Sequence, residues 1–194
     1  MVKLITIIVT GSPGVGKSTV SKELALKLFA KHLDVSKIVE EFDVIDRFDE
    51  ERETAIVNLN KLSKALIEKI ESSEIDVIID GHLAPHVIPD RLVNLAIILR
   101  RNPQQVEKEL KKRGYSDKKV KENVRCEILD ICLLDCIIKY GKEKCYEIDT
   151  TDKDLNFIVD ELEKVIKGLV MKRVGVIDWL ELINKENKLN YYFE

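Results

Sequence analysis

The run Gly11-Ser12-Pro13-Gly14-Val15-Gly16-Lys17-Ser18-Thr19 sets a lysine and two hydroxyls directly behind closely spaced glycines. Its spacing is G-x-x-x-x-G-K-[ST], a loop that cradles phosphates. Gly14 and Gly16 let the backbone wrap around phosphate oxygens with its amide hydrogens inward. The helix N-terminus that follows adds positive partial charge to the same anion site. Lys17 is placed to reach β- and γ-phosphates, and the Ser18 hydroxyl to ligate Mg²⁺. Val15 and Thr19 complete the expected nucleotide-binding set.

A second group is Asp80-Gly81-His82, directly after the apolar run Val77-Ile78-Ile79. A carboxylate at the end of a strand beside such a loop can hold Mg²⁺, usually through water. Gly81 permits a sharp exit from the sheet. His82 then faces the phosphates, able to orient a water or act as a base near neutral pH. Local sequence also allows Asp80 as a turn cap and His82 as a structural histidine. Arg113-Gly114-Tyr115 is the third group, in a basic stretch with Lys108, Lys111, Lys112, Lys118, Lys119 and Lys121. Arg113 can neutralise charge on a transferring phosphoryl group. Read locally, it is better explained as a helix-terminal arginine complementing the macrodipole.

Other reactive side chains read differently. Cys132 and Cys136 lie four apart on an expected helix, with Cys126 and Cys145 on either side and no C-x-x-C pair. That spacing favours core packing over a zinc site. Pro85 lies between His82 and His86 and spoils a helical ligand pair.

These groups need a scaffold. Leu4-Ile5-Thr6-Ile7-Ile8-Val9 reads as a buried parallel strand over residues 3–10, before the loop. After it, Val20, Leu24 and Leu28 share one face of a helix expected over 17–31. Further strands are expected at 32–35, 77–79, 92–99 and 145–148. Ser36 is expected to cap a short helix reaching Phe42. The acidic stretch 40–53 reads as a solvated, mobile segment. Leu59, Leu62, Leu66 and Ile70 share a helix face. Asn102, Pro103 and Gln105 spell a capping-box helix start, and Gly114 its stop. Ser116 caps a helix expected to run to Tyr140. Asp152 or Asp154 opens another toward Lys167, and Asp178 a last short one. Five strands separated by helices imply a doubly wound α/β fold with the phosphate loop at the carboxyl edge of a parallel sheet.

At 194 residues, 45% hydrophobic and 35% charged, the chain is long enough for one globular domain over 1–194. A net charge of −3 gives no overall push toward nucleic acid or membrane. No apolar stretch is long enough to span a bilayer. Lys3 leads straight into a strand, so an intracellular, cytoplasmic protein with reduced cysteines is expected.

Taken together, the loop 12–19, Asp80-Gly81-His82, and Arg113-Gly114-Tyr115-Ser116-Asp117-Lys118-Lys119-Val120 with Asn123-Val124 and Cys126-Glu127-Ile128 resemble the adenylate kinase isoenzyme six family, whose animal members are called the coilin-interacting nuclear ATPase. The likeness spans residues 3–150 in order and spacing. It implies a P-loop kinase core of adenylate-kinase type, a nucleoside-monophosphate-binding insertion near 34–56 and a short lid near 112–122. It implies ATP and AMP, or another nucleoside monophosphate, as substrates, Mg²⁺ as cofactor, Arg113 on ATP, and Asp80 with His82 tied to ATP hydrolysis. It also implies a role in late maturation of the small ribosomal subunit, through transient, ATP-released binding of the S-eleven platform protein. A P-loop small-molecule kinase with no ribosomal role is the alternative. One departure stands out: some relatives carry an arginine early in the insertion, where this chain has Glu40, with Arg47 and Arg52 the nearest arginines.

Overall fold

The computed structural model describes residues 4–50 and 54–193. The first half of the chain runs β1 (Thr6–Thr10), α1 (Lys17–Leu28), β2 (Lys31–Asp34), α2 (Val35–Glu41), β3 (Ile45–Asp49), β4 (Thr54–Val57), α3 (Leu59–Glu71), β5 (Val77–Asp80) and α4 (Ala84–Val87). The second runs β6 (Leu95–Arg100), α5 (Pro103–Lys112), α6 (Asp117–Ile128), α7 (Ile131–Tyr140), β7 (Cys145–Asp149), α8 (Leu155–Ile166), α9 (Trp179–Lys185) and α10 (Leu189–Phe193).

Among the described residues, β2-β5-β1-β6-β7 form one sheet in that order, every neighbouring pair parallel. All of β1 is buried because helices cover both faces, which is why it reads as an unbroken apolar run. Ile7 and Val9 join Leu24, Val106, Leu110 and Leu162 on one side. Ile8 joins Leu62, Leu66, Ile79 and Leu133 on the other. This is the doubly wound parallel architecture expected. The loop after β1 and the end of β5 lie together at its carboxyl edge, since Val9 pairs with Asp80.

Several local expectations are corrected. The first helix stops at Leu28, because Phe29 turns left-handed (φ 53°) and sends its N–H back to the Ala25 and Leu26 carbonyls. Asp34, not Ser36, caps α2, accepting from the Ser36 and Lys37 amides. The acidic stretch 40–53 is solvated as expected and holds the end of α2 and the exposed strand β3, which pairs antiparallel with β4 beyond it; Glu51, Arg52 and Glu53 lie outside the described residues, as does Lys3. Buried Val44 anchors it, and the Asn58 N–H donates to the Val44 carbonyl at 2.8 Å. The strand expected from residue 92 begins at Leu95, after a single tight turn at Asp90–Leu92.

The helix expected to reach Tyr140 is two. It breaks where Asp130 turns left-handed (φ 57°), which carries the Asp130 carboxylate to Arg100. Asn102 caps α5 through the Gln104 amide, but Gln105 does not close a box: it bonds Arg101 and Asp152 instead. Gly114 follows α5 with φ 78° as the expected stop. Asp154 rather than Asp152 caps α8, and Asp178 caps α9. Cys136 and Cys145 are buried in the core as expected, whereas Cys126 and Cys132 are only half-buried. The aromatic tail docks on the body: Tyr192 is buried and its hydroxyl donates to Glu107 at 2.9 Å.

Candidate active site

The phosphate loop turns from β1 into α1 through Gly16, whose φ of 98° lies where a side chain is strained. Lys17 folds back over the loop and donates to the Ser12 carbonyl at 3.0 Å. Burial pushes its ammonium below the usual lysine range, opposed by Cys132 and by the Asp80 and Glu127 carboxylates. Val15, 2% exposed, can serve the expected set through its backbone alone. Its side chain packs in the core, and its carbonyl accepts from the Thr150 hydroxyl at 3.2 Å.

Asp80 ends β5 with its side chain only 4% exposed. One oxygen, Oδ1, accepts from Ser18 Oγ at 3.2 Å. The other, Oδ2, lies 2.7 Å from His32 Nε2. Ser18 and Asp80 therefore converge as two hard oxygen donors at the loop, a set that fits Mg²⁺, which keeps several waters and takes the rest of its shell from phosphates. Gly81 is required by close approach: a Cβ there would sit 2.6 Å from the Val35 Cβ.

A cavity of about 280 Å³ lies over the loop, walled by Lys17, Ser18, Thr19, Asp80, His82 and Arg113, with Gly14 and Gly16 in its floor. A second, of about 480 Å³, opens beneath the β3–β4 ribbon and is largely apolar, with Val39, Ile45, Ala55, Val57 and Leu59. Glu40 also lines it. A third, of about 300 Å³, lies toward α6 and α7 with Ser12, His86, Lys119, Asn123 and Cys132. His82 lines all three. His82 is solvent-exposed, with the residues of these three cavities around it. Those surroundings, then Lys17 and His86, push its pKa down to about 4. His82 is therefore a neutral imidazole at pH 7, suited to orienting a water, and a weaker base than its sequence position suggests.

Arg113 is the C-terminal cap of α5 and faces the phosphate cavity, but its Nε donates to Glu109 at 2.9 Å. The structure thus brings Lys17, Ser18, Asp80, His82 and Arg113 to one cleft, with Arg113 held aside.

Three supports escape a reading of the sequence. His32 reaches Asp80 from the neighbouring strand. The guanidinium of Arg101 donates to the Gly14 carbonyl at 3.1 Å, tying the loop to the end of β6. Thr150 bridges Val15 to the Arg100 carbonyl. Only the strand order could have found them, because their partners are distant in sequence.

Among the described residues, no helix is long and apolar enough to cross a membrane. Residues 7–130 match a family model described as "AAA domain". A Methanocaldococcus jannaschii protein named "Putative adenylate kinase" is 42% identical over 90% of this chain and 93% of its own length. A Thermococcus onnurineus protein of the same name is 36% identical over 91% and 92%. Among solved structures, a shikimate kinase from Acinetobacter baumannii in complex with shikimate superposes with a TM-score of 0.62 at 15% identity, over 88% of this chain and 97% of that one, a likeness of fold alone. With the phosphate loop, the strand-end carboxylate and the parallel sheet in place, the chain belongs to the family of these archaeal proteins.

Proposed function

We propose that this protein is a nucleoside monophosphate kinase, converting ATP and AMP to two ADP, with a slower ATPase activity. The observation that carries the reading is the meeting, at His82, of a cavity lined by the phosphate loop and an apolar, base-sized cavity. The relatives' name supports it. Residues 34–56, which include β3 and most of β4, would cover the acceptor nucleoside, and residues 112–122 would act as the lid.

In this reading ATP places its phosphates on the loop amides and Lys17. A phosphate oxygen of AMP attacks the γ-phosphorus. The bond from that phosphorus to the bridging oxygen breaks, and ADP forms on both sides. Lys17 neutralises charge that builds on the bridging and γ-oxygens. Ser18 and Asp80 would hold Mg²⁺ brought with ATP, which would supply further charge neutralisation there. Arg113 exchanges Glu109 for the γ-phosphate as the lid closes. Without AMP, His82 orients a water for the same attack, and hydrolysis results.

The ribosomal role rests on the family resemblance and on one feature of the fold. The β3–β4 ribbon holds Asp46 and Phe48 exposed, an acidic, partly apolar surface suited to a basic protein of the S-eleven kind. Such a partner would be met on the maturing small subunit and released with ATP turnover in the cytoplasm; no membrane partner belongs to this reading.

Two measurements test the proposal. ADP formation from ATP and AMP should exceed phosphate release from ATP alone, and the reverse would overturn the kinase reading. A pull-down from cell extract should enrich one small-subunit ribosomal protein without ATP and lose it with ATP. Recovery of none leaves a small-molecule kinase with no ribosomal role.

A further inference from the structure

We infer that His32 is a positioning residue for Asp80: it holds one carboxylate oxygen so that the other stays turned to Ser18 and the phosphate cavity. The inference rests on the reading of Asp80 as a metal-holding carboxylate.

β2 is an outer strand and pairs in parallel with β5, His32 beside Ile78 and Asp34 beside Asp80. Side chains alternate along a strand, so His32 and Ile78 project on the same face as Asp80, two residues on. A diagonal neighbour at that offset is within reach of a long side chain. An imidazole spans it, and Nε2 comes to 2.7 Å from Oδ2. Asp34 is nearer in register, but its carboxylate has no proton to donate to Asp80 and accepts from the first amides of α2 instead.

The chemistry follows from the two oxygens. An ionised carboxylate only accepts, so Nε2 carries the proton in this contact. A hydrogen bond to a charged acceptor is short and roughly twice as strong as a neutral one. The Asp80 side chain is 4% exposed and that of His32 19%, so little water competes. With Oδ2 fixed, the carboxylate plane cannot swing, and Oδ1 remains at Ser18 Oγ, where a cation shared with ATP would sit. Without His32, a nearly buried oxygen must find another donor, and the carboxylate turns away from the loop to do so. Partners of this outer kind typically alter metal affinity by about 10- to 100-fold.

The test measures ATP binding by isothermal titration calorimetry, in EDTA and in excess Mg²⁺, on wild type, His32→Ala and His32→Gln. Wild type should bind ATP more tightly with Mg²⁺. His32→Ala should lose about tenfold of that tightening and keep its affinity in EDTA within about twofold. His32→Gln, whose amide can donate to Oδ2, should recover most of the loss. If His32→Ala fails to fold, His32→Met takes its place, since it fills similar volume and cannot donate. Equal weakening in EDTA and in Mg²⁺, or Mg²⁺ dependence unchanged from wild type, overturns the positioning role. A wild type with no Mg²⁺ dependence overturns the underlying reading of Asp80, and the positioning role with it.

Discussion

Arg100 and Glu127 meet 2.8 Å apart in the interior, each side chain about 1% exposed. The same guanidinium reaches Glu147 Oε1 at 2.6 Å, the Asp130 carboxylate and the Glu127 carbonyl. Trp179 donates its indole N–H to Glu127 at 3.0 Å, and the Val176 amide donates to Glu147 at 2.9 Å. One cation thus ties the end of β6 to β7, to the α6–α7 corner and to the segment leading into α9. Removing one member of such a cluster leaves uncompensated buried charge, at a cost of about 3–5 kcal/mol. Arg100→Met should therefore lower the melting temperature by about 10 °C. The exposed pair Lys185–Glu181 is the control, and Lys185→Ala should change stability by less than about 1 kcal/mol. A wild-type melting curve for Arg100→Met would contradict the assignment.

This cluster shows where sequence reading stops. The parallel strands are legible because burial on both faces leaves continuous runs such as Thr6–Thr10 and Val77–Asp80. The phosphate loop is legible because its chemistry is local. Arg100 is not: after an apolar strand it reads as a surface charge, and its acids come from residues 27, 30 and 47 positions away. The β3–β4 ribbon is hidden for another reason. Its strands bury little, and Ile45 and Phe48 stay exposed among acids, so no period-two contrast marks them. The break at Asp130 is hidden because its left-handed turn serves a distant arginine. His32 is missed because its role depends on which strand lies beside β5.

Lys17→Ala should abolish phosphoryl transfer and hydrolysis together. One ammonium is set over the loop and faces the phosphate cavity, and in the proposed mechanism it would serve both reactions. Loss of such a charge costs on the order of 100-fold or more in rate. Steady-state rates of both reactions on the same preparation are the check, and near-normal turnover in either would sink the loop assignment.

Arg113→Ala should separate stability from activity. The Arg113–Glu109 pair lies on the surface, with the arginine side chain 48% exposed, so its loss should cost less than about 1 kcal/mol. If the guanidinium moves onto the phosphates during turnover, kcat should fall by about 10²-fold or more while the melting temperature holds. An unchanged kcat would leave Arg113 a helix-terminal cation and nothing more.

Ala55→Trp should block the acceptor without touching the donor. Ala55 lines the cavity of about 480 Å³ beneath the ribbon, and does not line the phosphate cavity. An indole filling that space competes with the acceptor's base. The KM for AMP should rise at least about tenfold, the arithmetic of losing about 1.4 kcal/mol of binding. ATP hydrolysis in the absence of AMP should stay near wild type. A parallel fall in both activities would show that the pocket does not belong to the acceptor.

His82 lies at the junction of the three cavities, and its protonation state decides what it can do there. The protein around it, then Lys17 and His86, hold its pKa at about 4. The folded protein therefore keeps the ring neutral where an unfolded chain, titrating near 6.5, would already be charged. Across that window the unfolded state binds more protons, so this group's contribution makes the fold less stable as pH falls from about 6.5 toward 4. An NMR titration of the free protein should give a His82 midpoint near 4, assigned by the signal that His82→Asn removes; a midpoint at 6 or above would refute the neutral imidazole. Neutrality also sets the mutant phenotype. A water attacking the γ-phosphate needs orienting, and a neutral ring can accept its proton. AMP brings an oxygen that is already nucleophilic and needs only positioning. His82→Ala should therefore reduce phosphate release from ATP more than ADP formation with AMP, both read on one preparation. Equal losses would make His82 structural, and a selective loss of AMP phosphorylation would move it to the acceptor side.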